Sequence, residues 1–286
     1  MILQLLLRPS HWRHAITSLA LCMAAASHAS DTLKTPGAGM PSDIVGTWEV
    51  VGIHVDTGAT RTLHYRPDDF RLNGRIFHFS HEAIASNTPE RQDCPSPGIA
   101  ASIPVAGLIE SSMAGRATPP ANPTAEDYQL QLPADPGASA ITVKCKGKLW
   151  GFGLGREDGI HGAWLLPLPG ERLAVRWHDE TILELKRVPE NARPIPSFDC
   201  TRTSVESERA ICHSIPLAKL DVSVAKSYAA ATRELQEAKL QNSLTVLKAE
   251  QRAWLLKRNR CKSDAACLEN AMSLRLEAID RMQRED

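Results

Sequence analysis

Six cysteines in the last two thirds of the chain are the residues whose type and spacing say most about chemistry. A seventh, Cys22, lies near the N-terminus, and the six are Cys94, Cys145, Cys200, Cys212, Cys261 and Cys267. No pair has the C-x₂-C spacing of a zinc site, so we expect no metal bound by these thiols. Six cysteines allow 15 pairings. Closeness along the chain favours three local disulfides, Cys94–Cys145, Cys200–Cys212 and Cys261–Cys267.

Histidines and one glycine-rich segment are the remaining candidates for catalysis or metal binding. The histidines considered are His54, His64, His78, His81 and His161. His78 and His81 are three residues apart in a segment with the pattern of a β-strand, which places their rings on opposite faces of the strand. Gly151-Phe-Gly-Leu-Gly155 lacks the Lys-Ser/Thr of a phosphate-binding loop, and no hydrolase elbow or H-E-x-x-H motif occurs. We predict a protein that is not an enzyme, with no catalytic residue, metal site or cofactor.

The N-terminus has the pattern of a secretory signal peptide over residues 1–29. Arg8 and Arg13 precede a small and apolar stretch at 15–26, and Ser27-His28-Ala29 is a small-x-small cleavage site. Lipid attachment at Cys22 is disfavoured because Leu21 stands where a small residue is required. No later stretch reaches the roughly 20 apolar residues of a membrane span. We therefore expect a soluble periplasmic or secreted protein, in a compartment where disulfides form.

Composition and charge narrow the class of partner. The 286 residues include 33 Lys+Arg and 33 Asp+Glu, with 43% hydrophobic residues. These are ordinary values for a globular protein with one large or two modest domains. A formal net charge of zero and only 5% aromatic residues argue against a nucleic-acid partner, which needs basic patches and stacking platforms.

The residue pattern over 43–187 is typical of β-strands and predicts an antiparallel β domain, either a barrel or a sandwich. Alternating apolar residues predict strands at 43–51, 76–79, 141–145, 161–166, 172–177 and 181–186. The last three are too close for helical crossovers, so they should form an antiparallel meander. Residues 96–136 are rich in Pro, Ala and Ser and predict a long irregular excursion.

Helical periodicity replaces the strand pattern after a proline-rich linker at 188–196. One helix should present Leu217, Leu220, Val224, Tyr228, Ala231 and Leu235 on its apolar face, a second Leu244, Leu247, Trp254 and Leu255, and a third Cys267, Ala271, Leu274 and Ile279. The predicted fold class is therefore α+β, with a small disulfide-stapled helical bundle at 197–284. The linker leads us to expect that the two domains fold independently.

The helical region resembles the LprI-type lysozyme inhibitor domain, a four-cysteine helical module of exported bacterial proteins. The residues that carry the resemblance are Asp199, Cys200, Cys212, Leu220, Asp221, Tyr228, Gln251, Arg252, Trp254, Arg258, Cys261, Cys267 and Arg275. An aromatic residue that is common after the last cysteine is replaced here by Ala271-Met272. The resemblance implies residence in the periplasm or at the cell surface and, for some members, inhibition of lysozyme.

These residues have mainly structural interpretations. We expect Trp254 to anchor the core, whereas Tyr228 could equally reach the surface. Asp221 should cap a helix or pair with a basic residue such as Arg252 or Arg258. Gln251 and Arg252 are expected to form a buried polar network. In the β domain, Gly46-Thr-Trp48 resembles the G-x-W opening of lipocalin-like barrels, where the tryptophan closes one end.

Two classes of function follow from these patterns. The first is an exported binding protein that inhibits a lysozyme-type peptidoglycan hydrolase for self-protection or immunity. Residues 30–196 carry 16 basic and 20 acidic residues, so the β domain is suited to steer a cationic muramidase. The second is a lipocalin-like carrier of a small apolar ligand, with a structural role in the envelope as a third reading. The sequence leaves open which hydrolase is bound, which surface binds it and the oligomeric state.

Overall fold

The computed structural model describes residues 38–113, 122–155 and 159–285, so the predicted signal peptide and Cys22 lie outside the described residues. The first part of the described chain is a β sheet of ten strands. They are β1 (Gly46–His54), β2 (Ile76–Phe79), β3 (Ala83–Ser86), β4 (Cys94–Pro95), β5 (Pro97–Pro104), β6 (Ser139–Cys145), β7 (Lys148–Leu149), β8 (Trp164–Leu168), β9 (Arg172–Trp177) and β10 (Thr181–Arg187).

The sheet curls into a nearly closed antiparallel barrel. Its strand order is β4-β3-β2-β1-β10-β9-β8-β6-β5, with β7 added on β6. The two outermost strands, β4 and β5, follow each other along the chain, and the Cys94–Cys145 disulfide ties β4 to β6. The predicted meander of β8, β9 and β10 is confirmed, with Leu165 opposite Val175 and Val175 opposite Leu183.

Large side chains fill the interior of the barrel. Trp177 is fully buried and lies 5.2 Å from Phe77 and 5.9 Å from Trp150, measured between ring centroids. Phe79 approaches the same Trp150 ring at 6.1 Å. Edge-to-face and tilted contacts of this kind add to the stabilisation that burial of the rings provides. The barrel is therefore a packed core.

Residues 105–113 and 122–132 cover the outer face of the barrel over β6 and β8 to β10. The first of these segments includes the short helix α1 (Leu108–Ser112), whose Ser112 hydroxyl accepts a hydrogen bond from Trp164 Nε1 at 3.0 Å. Tyr128 donates to the carbonyl of Glu180 at 3.0 Å. The prediction of irregular structure from 96 to 136 is wrong over β5, because this proline-flanked strand lies at the sheet edge and pairs with β6.

The G-x-W segment stands at the start of β1, and its tryptophan belongs to the core of the barrel. Trp48 is 2% exposed, and its indole nitrogen donates to the carbonyl of Ile44 at 2.8 Å. The guanidinium of Arg187 lies 4.2 Å from the indole ring centre, a cation–π contact. Gly46 has φ of 142°, and a Cβ there would lie 2.5 Å from Arg187 Nη1. Glycine at this position therefore makes room for the arginine.

The helical module, residues 197–285, follows the proline-rich segment at 188–196, which contains no helix or strand. After a 3₁₀ turn at Cys200–Arg202 it contains α2 (Glu206–Cys212), α3 (Ile215–Glu237), α4 (Gln241–Asn259) and α5 (Ala265–Glu285). Ser214 caps α3 by accepting from Leu217 N, and Asp264 Oδ1 accepts from Cys267 N at the start of α5. The Cys200–Cys212 and Cys261–Cys267 disulfides form as predicted.

The buried face of α5 differs from the predicted one. The buried side chains are Leu268, Met272, Leu276 and Ile279, whereas Leu274 is 50% exposed and Cys267 also faces outward. Of the predicted stripe, only Ile279 is fully buried. The reason is that α5 has two apolar faces, and the one with the larger side chains packs against α3.

Polar contacts join the barrel and the helical module within one compact unit. Lys219 pairs with Glu49 at 2.8 Å, and the Ser223 hydroxyl donates to the carbonyl of Asn73 at 2.8 Å. Arg75 is 1% exposed and donates to Ser273 Oγ at 3.0 Å. Burial lowers the pKa of Arg75 to about 10. The two parts are therefore joined by polar contacts that include a buried cation, and our expectation that each folds independently stays a prediction.

Candidate functional site

A surface groove between α4 and α5 lies beside the Cys261–Cys267 disulfide. Its volume is about 490 Å³. We call it the α4–α5 groove, and it is lined by Trp254, Lys257, Arg260, Cys261, Cys267, Asn270, Ala271, Leu274, Arg275 and Ala278. The α5 contribution is the second apolar face of that helix, at the three- and four-residue spacing that places side chains on one stripe.

Trp254 forms part of the apolar lining of the groove. Its side chain is half-buried and packs against the helical core, as expected of an anchor residue. The indole nitrogen donates to the carbonyl of Ala271 at 2.9 Å, which holds the ring against α5. Space remains beside the ring because Ala271 and Ala278 have small side chains. Trp254 therefore both joins the two helices and presents apolar surface.

The lining of the α4–α5 groove is positively charged. Lys257 and Arg260 are exposed, Arg275 is buried, and no carboxylate belongs to the described residues that line the groove. Arg275 donates to Gln251 Oε1 at 2.8 Å and pairs with Glu250 at 3.1 Å. The buried Nη2 of Arg275 has no hydrogen-bond partner in the described part of the chain.

The polar network predicted around Gln251 exists, but with a different partner. Gln251 contacts Arg275, 24 residues further along the chain. The predicted member Arg252 instead points to solvent on the outer side of α4. Adjacent residues of a helix lie about 100° apart around its axis, so Gln251 and Arg252 cannot both face α5.

A buried cluster of charged side chains joins α4 to α2 and α3. Arg258 is 3% exposed and contacts Asp221 at 3.5 Å and Glu208 at 3.3 Å. Asp221 also accepts from the backbone and hydroxyl of Ser197, at 2.8 and 2.6 Å. Burial raises the pKa of the Asp221 carboxyl above its ordinary value, and the bonds from Ser197 offset only part of that rise. Of the two basic partners expected for Asp221, Arg252 and Arg258, it contacts Arg258. Because Asp221 also binds Ser197, these contacts join the start of the module to α3 and α4.

The other predicted residues have structural positions. Leu220 is fully buried, and Tyr228 is half-buried against the cluster around Ala231. Asp199 accepts from the backbone of Thr201 at 2.9 Å, and this bond, with one from the threonine hydroxyl, lowers the pKa of the exposed carboxyl. Among the residues that the structure describes, no group of three or more His, Cys, Asp or Glu side chains is placed to hold a metal ion.

Several residues of the groove lining were singled out from the sequence as disulfide, core or family-pattern positions, but none as part of a groove. Lys257, Arg260, Asn270 and Ala278 were not singled out at all. The signal was present in the apolar positions Cys267, Ala271, Leu274 and Ala278 of α5. The first three of these positions, together with Ile279, were predicted to form the core face of the helix. A second apolar set one residue later, beginning at Leu268, would have indicated that one of the two faces must lie at the surface.

Comparison with known proteins assigns neither a family nor a function to this chain. The chain matches no family model, no curated protein and no solved structure. Within the described residues, no helix has the length and apolar character needed to cross a bilayer.

Proposed function

We propose that this protein is an exported binding protein that inhibits a lysozyme-type peptidoglycan hydrolase, and that it docks through the α4–α5 groove. The observation that carries the proposal is an apolar groove lined by Trp254 and Leu274, with three cationic side chains and no carboxylate in its described lining. Tryptophan and arginine are the residue types that most often dominate binding energy at protein interfaces. The resemblance of the module to LprI-type inhibitors points to the same class of partner.

The charge of the groove suits the active-site cleft of such a hydrolase. Glycoside hydrolases place two carboxyl groups on either side of the bond that they cleave. An exposed cation such as Lys257 or Arg260 that enters the cleft would pair with these groups and exclude the glycan chain. The apolar groove would meanwhile bury a side chain from the rim of the cleft.

The barrel contributes at longer range. Residues 30–196 carry four more acidic than basic residues, while many muramidases are cationic. Opposite net charges increase the rate of encounter, and this steering weakens with ionic strength. The acidic barrel would thus attract the enzyme, and the basic groove would make the final contacts.

The packed interior of the barrel makes the carrier function less favourable than inhibition. A ligand carrier needs an internal cavity, whereas Phe77, Phe79, Trp150 and Trp177 occupy the centre of this barrel at exposures of 2% or less. A small apolar ligand would have to displace aromatic side chains that contact one another. We therefore place the functional surface outside the barrel.

Titration of hydrolases with the full mature chain tests the proposal. Lysis of bacterial cell walls by a cationic lysozyme and by a bacterial muramidase is measured against increasing inhibitor. We expect complete inhibition of at least one enzyme near equimolar ratio. In the double variant Lys257→Glu/Arg260→Glu, the concentration needed for inhibition should rise by at least about tenfold, because two attractive contacts with the cleft carboxylates become repulsive and tenfold corresponds to about 1.4 kcal/mol.

A matched control variant is available on the same helix. Lys248 and Arg252 are exposed on α4 and do not line the groove. The variant Lys248→Glu/Arg252→Glu changes the net charge equally and should inhibit within about twofold of the wild type. Lysis that continues at tenfold molar excess of wild type, with both enzymes, would refute inhibition. Equal loss in both double variants would refute the groove as the docking surface.

A further inference from the structure

A second cavity, distinct from the α4–α5 groove, lies between the barrel and the C-terminal half of α5. Its volume is about 560 Å³. We call it the arginine cavity, and it is lined by Arg61, Thr62, Leu63, His64, Tyr65, Arg71, Pro89, Asp179, Glu277, Asp280, Arg281 and Arg284. It is open to solvent on one side, because Arg281 and Glu277 are exposed.

Guanidinium groups outnumber carboxylates around the arginine cavity. Asp280 is contacted by three of them, Arg284 at 2.8 Å, Arg66 at 2.9 Å and Arg71 at 3.1 Å. Asp69 gives Arg71 a second carboxylate partner. The lining also holds the Arg61–Asp179 pair at 2.6 Å and the exposed Arg281 and Glu277. It therefore contains four arginines and three acidic residues, with Arg66 and Asp69 as further ion-pair partners behind it.

Two donors at this cavity are left unused by the fold. Arg281 makes no ion pair or hydrogen bond with any residue of the described ranges. The Nε of Arg61 is buried and likewise lacks a hydrogen-bond partner among the described residues. A buried donor without a partner is unfavourable, and a ligand oxygen that accepts from it removes that cost.

Rigid supports hold the guanidinium groups around the opening. Arg284 donates to the carbonyl of His64 at 2.7 Å, and Arg71 is held by Asp69 at 2.7 Å and stacks 4.8 Å from the ring centre of Tyr65. Planar guanidinium groups in fixed positions are the protein groups best suited to bind carboxylate or phosphate oxygens in a bidentate way. Leu63 and Pro89 supply apolar surface beside them.

We propose that the arginine cavity binds a small organic molecule through an oxyanion, a carboxylate or a phosphate, with Arg61 and Arg281 as its principal donors. The oxyanion accepts hydrogen bonds from these two side chains, and the carbon skeleton of the ligand contacts Leu63 and Pro89. The volume suits a ligand of the size of a monosaccharide, since small-molecule sites generally start at about 300 Å³. This site is independent of the α4–α5 groove and of any hydrolase.

Calorimetric titration of the full mature chain with three probes tests this proposal in the absence of any enzyme. The probes are glucuronate, glucose and inorganic phosphate. Glucuronate and glucose differ in the carboxylate, so glucuronate should bind saturably and glucose should not. Saturable binding of phosphate in place of glucuronate would identify phosphate as the oxyanion source and also supports the site.

Arginine variants locate the binding. Arg281→Ala removes an exposed side chain that takes no part in the fold, and it should weaken binding by about tenfold, the effect of one charge-assisted hydrogen bond. Arg61→Gln should weaken binding similarly. The control is Arg233→Ala, which removes an exposed arginine of α3 that does not line the cavity and should leave the affinity for the anion unchanged. The proposal is overturned if neither anion binds saturably, if glucose binds as tightly as glucuronate, or if Arg281→Ala and Arg61→Gln, both shown to be folded by circular dichroism, bind like the wild type.

Discussion

Asp280 is the carboxylate whose loss should reveal how strongly the barrel and the helical module are joined. It lies on α5, its side chain is 10% exposed, and Arg66 and Arg71 reach it from the barrel. The substitution Asp280→Asn keeps the size of the side chain and removes its charge. Arg71, which is only 7% exposed, then loses one of its two carboxylate partners.

The expected magnitude follows from the burial of each pair. Removing one partner of a buried ion pair typically costs about 3–5 kcal/mol, whereas an exposed pair contributes at most about 1 kcal/mol. Arg66 and Arg284 are 43% and 32% exposed, so their contributions are small. Because Arg71 keeps its bonds to Asp69, we expect the lower end of the buried range, about 3 kcal/mol. The corresponding fall in Tm is about 6–12 °C for a chain of this size.

Urea denaturation followed by circular dichroism measures the effect. The wild type should unfold in a single transition, since the network crosses from barrel to module. Glu237→Gln, at an exposed position on α3, is the control and should change the free energy of unfolding by less than about 0.5 kcal/mol. A change in Asp280→Asn no larger than in this control, or two separate transitions in the wild type, would refute our reasoning about the interface.

Three further predictions concern pH, the barrel disulfide and the isolated module. Burial raises the pKa of Asp69, but hydrogen bonds from Arg71 outweigh it and hold that pKa below its ordinary value. Stability that Asp69 contributes above about pH 4 should therefore be lost as pH falls through the lowered pKa, and Asp69→Asn should flatten this slope in thermal melts between pH 2 and 6. The variant Cys94→Ser/Cys145→Ser opens a loop with a sequence separation of 51 residues and should lose about 4 kcal/mol in urea denaturation. The fragment 197–286 should melt at a lower temperature than the full mature chain, because it lacks Phe70, which packs against the helical core; an equal Tm would show that the interface adds no stability.

Much of the local architecture could be predicted from the sequence because it depends on neighbours along the chain. Alternating apolar residues indicated β9 at 172–177, where the structure places it. The disulfides at Cys200–Cys212 and Cys261–Cys267 join residues 12 and 6 positions apart, so closeness along the chain was a sufficient guide. The Leu217–Leu235 stripe of α3 also has the predicted burial, since one apolar face leaves a single way to pack.

Tertiary structure decided the features on which the two proposals depend. Periodicity showed that α5 is apolar at several positions but not which of its two faces would meet α3, and only packing placed Leu274 in a groove. Arg71 and Asp280 are more than 200 residues apart, and no local pattern predicts that they meet at 3.1 Å. Charged side chains are long and pair with whichever partner the fold brings near, so residue type indicates an ion pair without identifying it. The sequence by itself therefore determined the strands, helices and disulfides of this protein. The groove, the arginine cavity and the contact between barrel and helical module arose only when those elements packed.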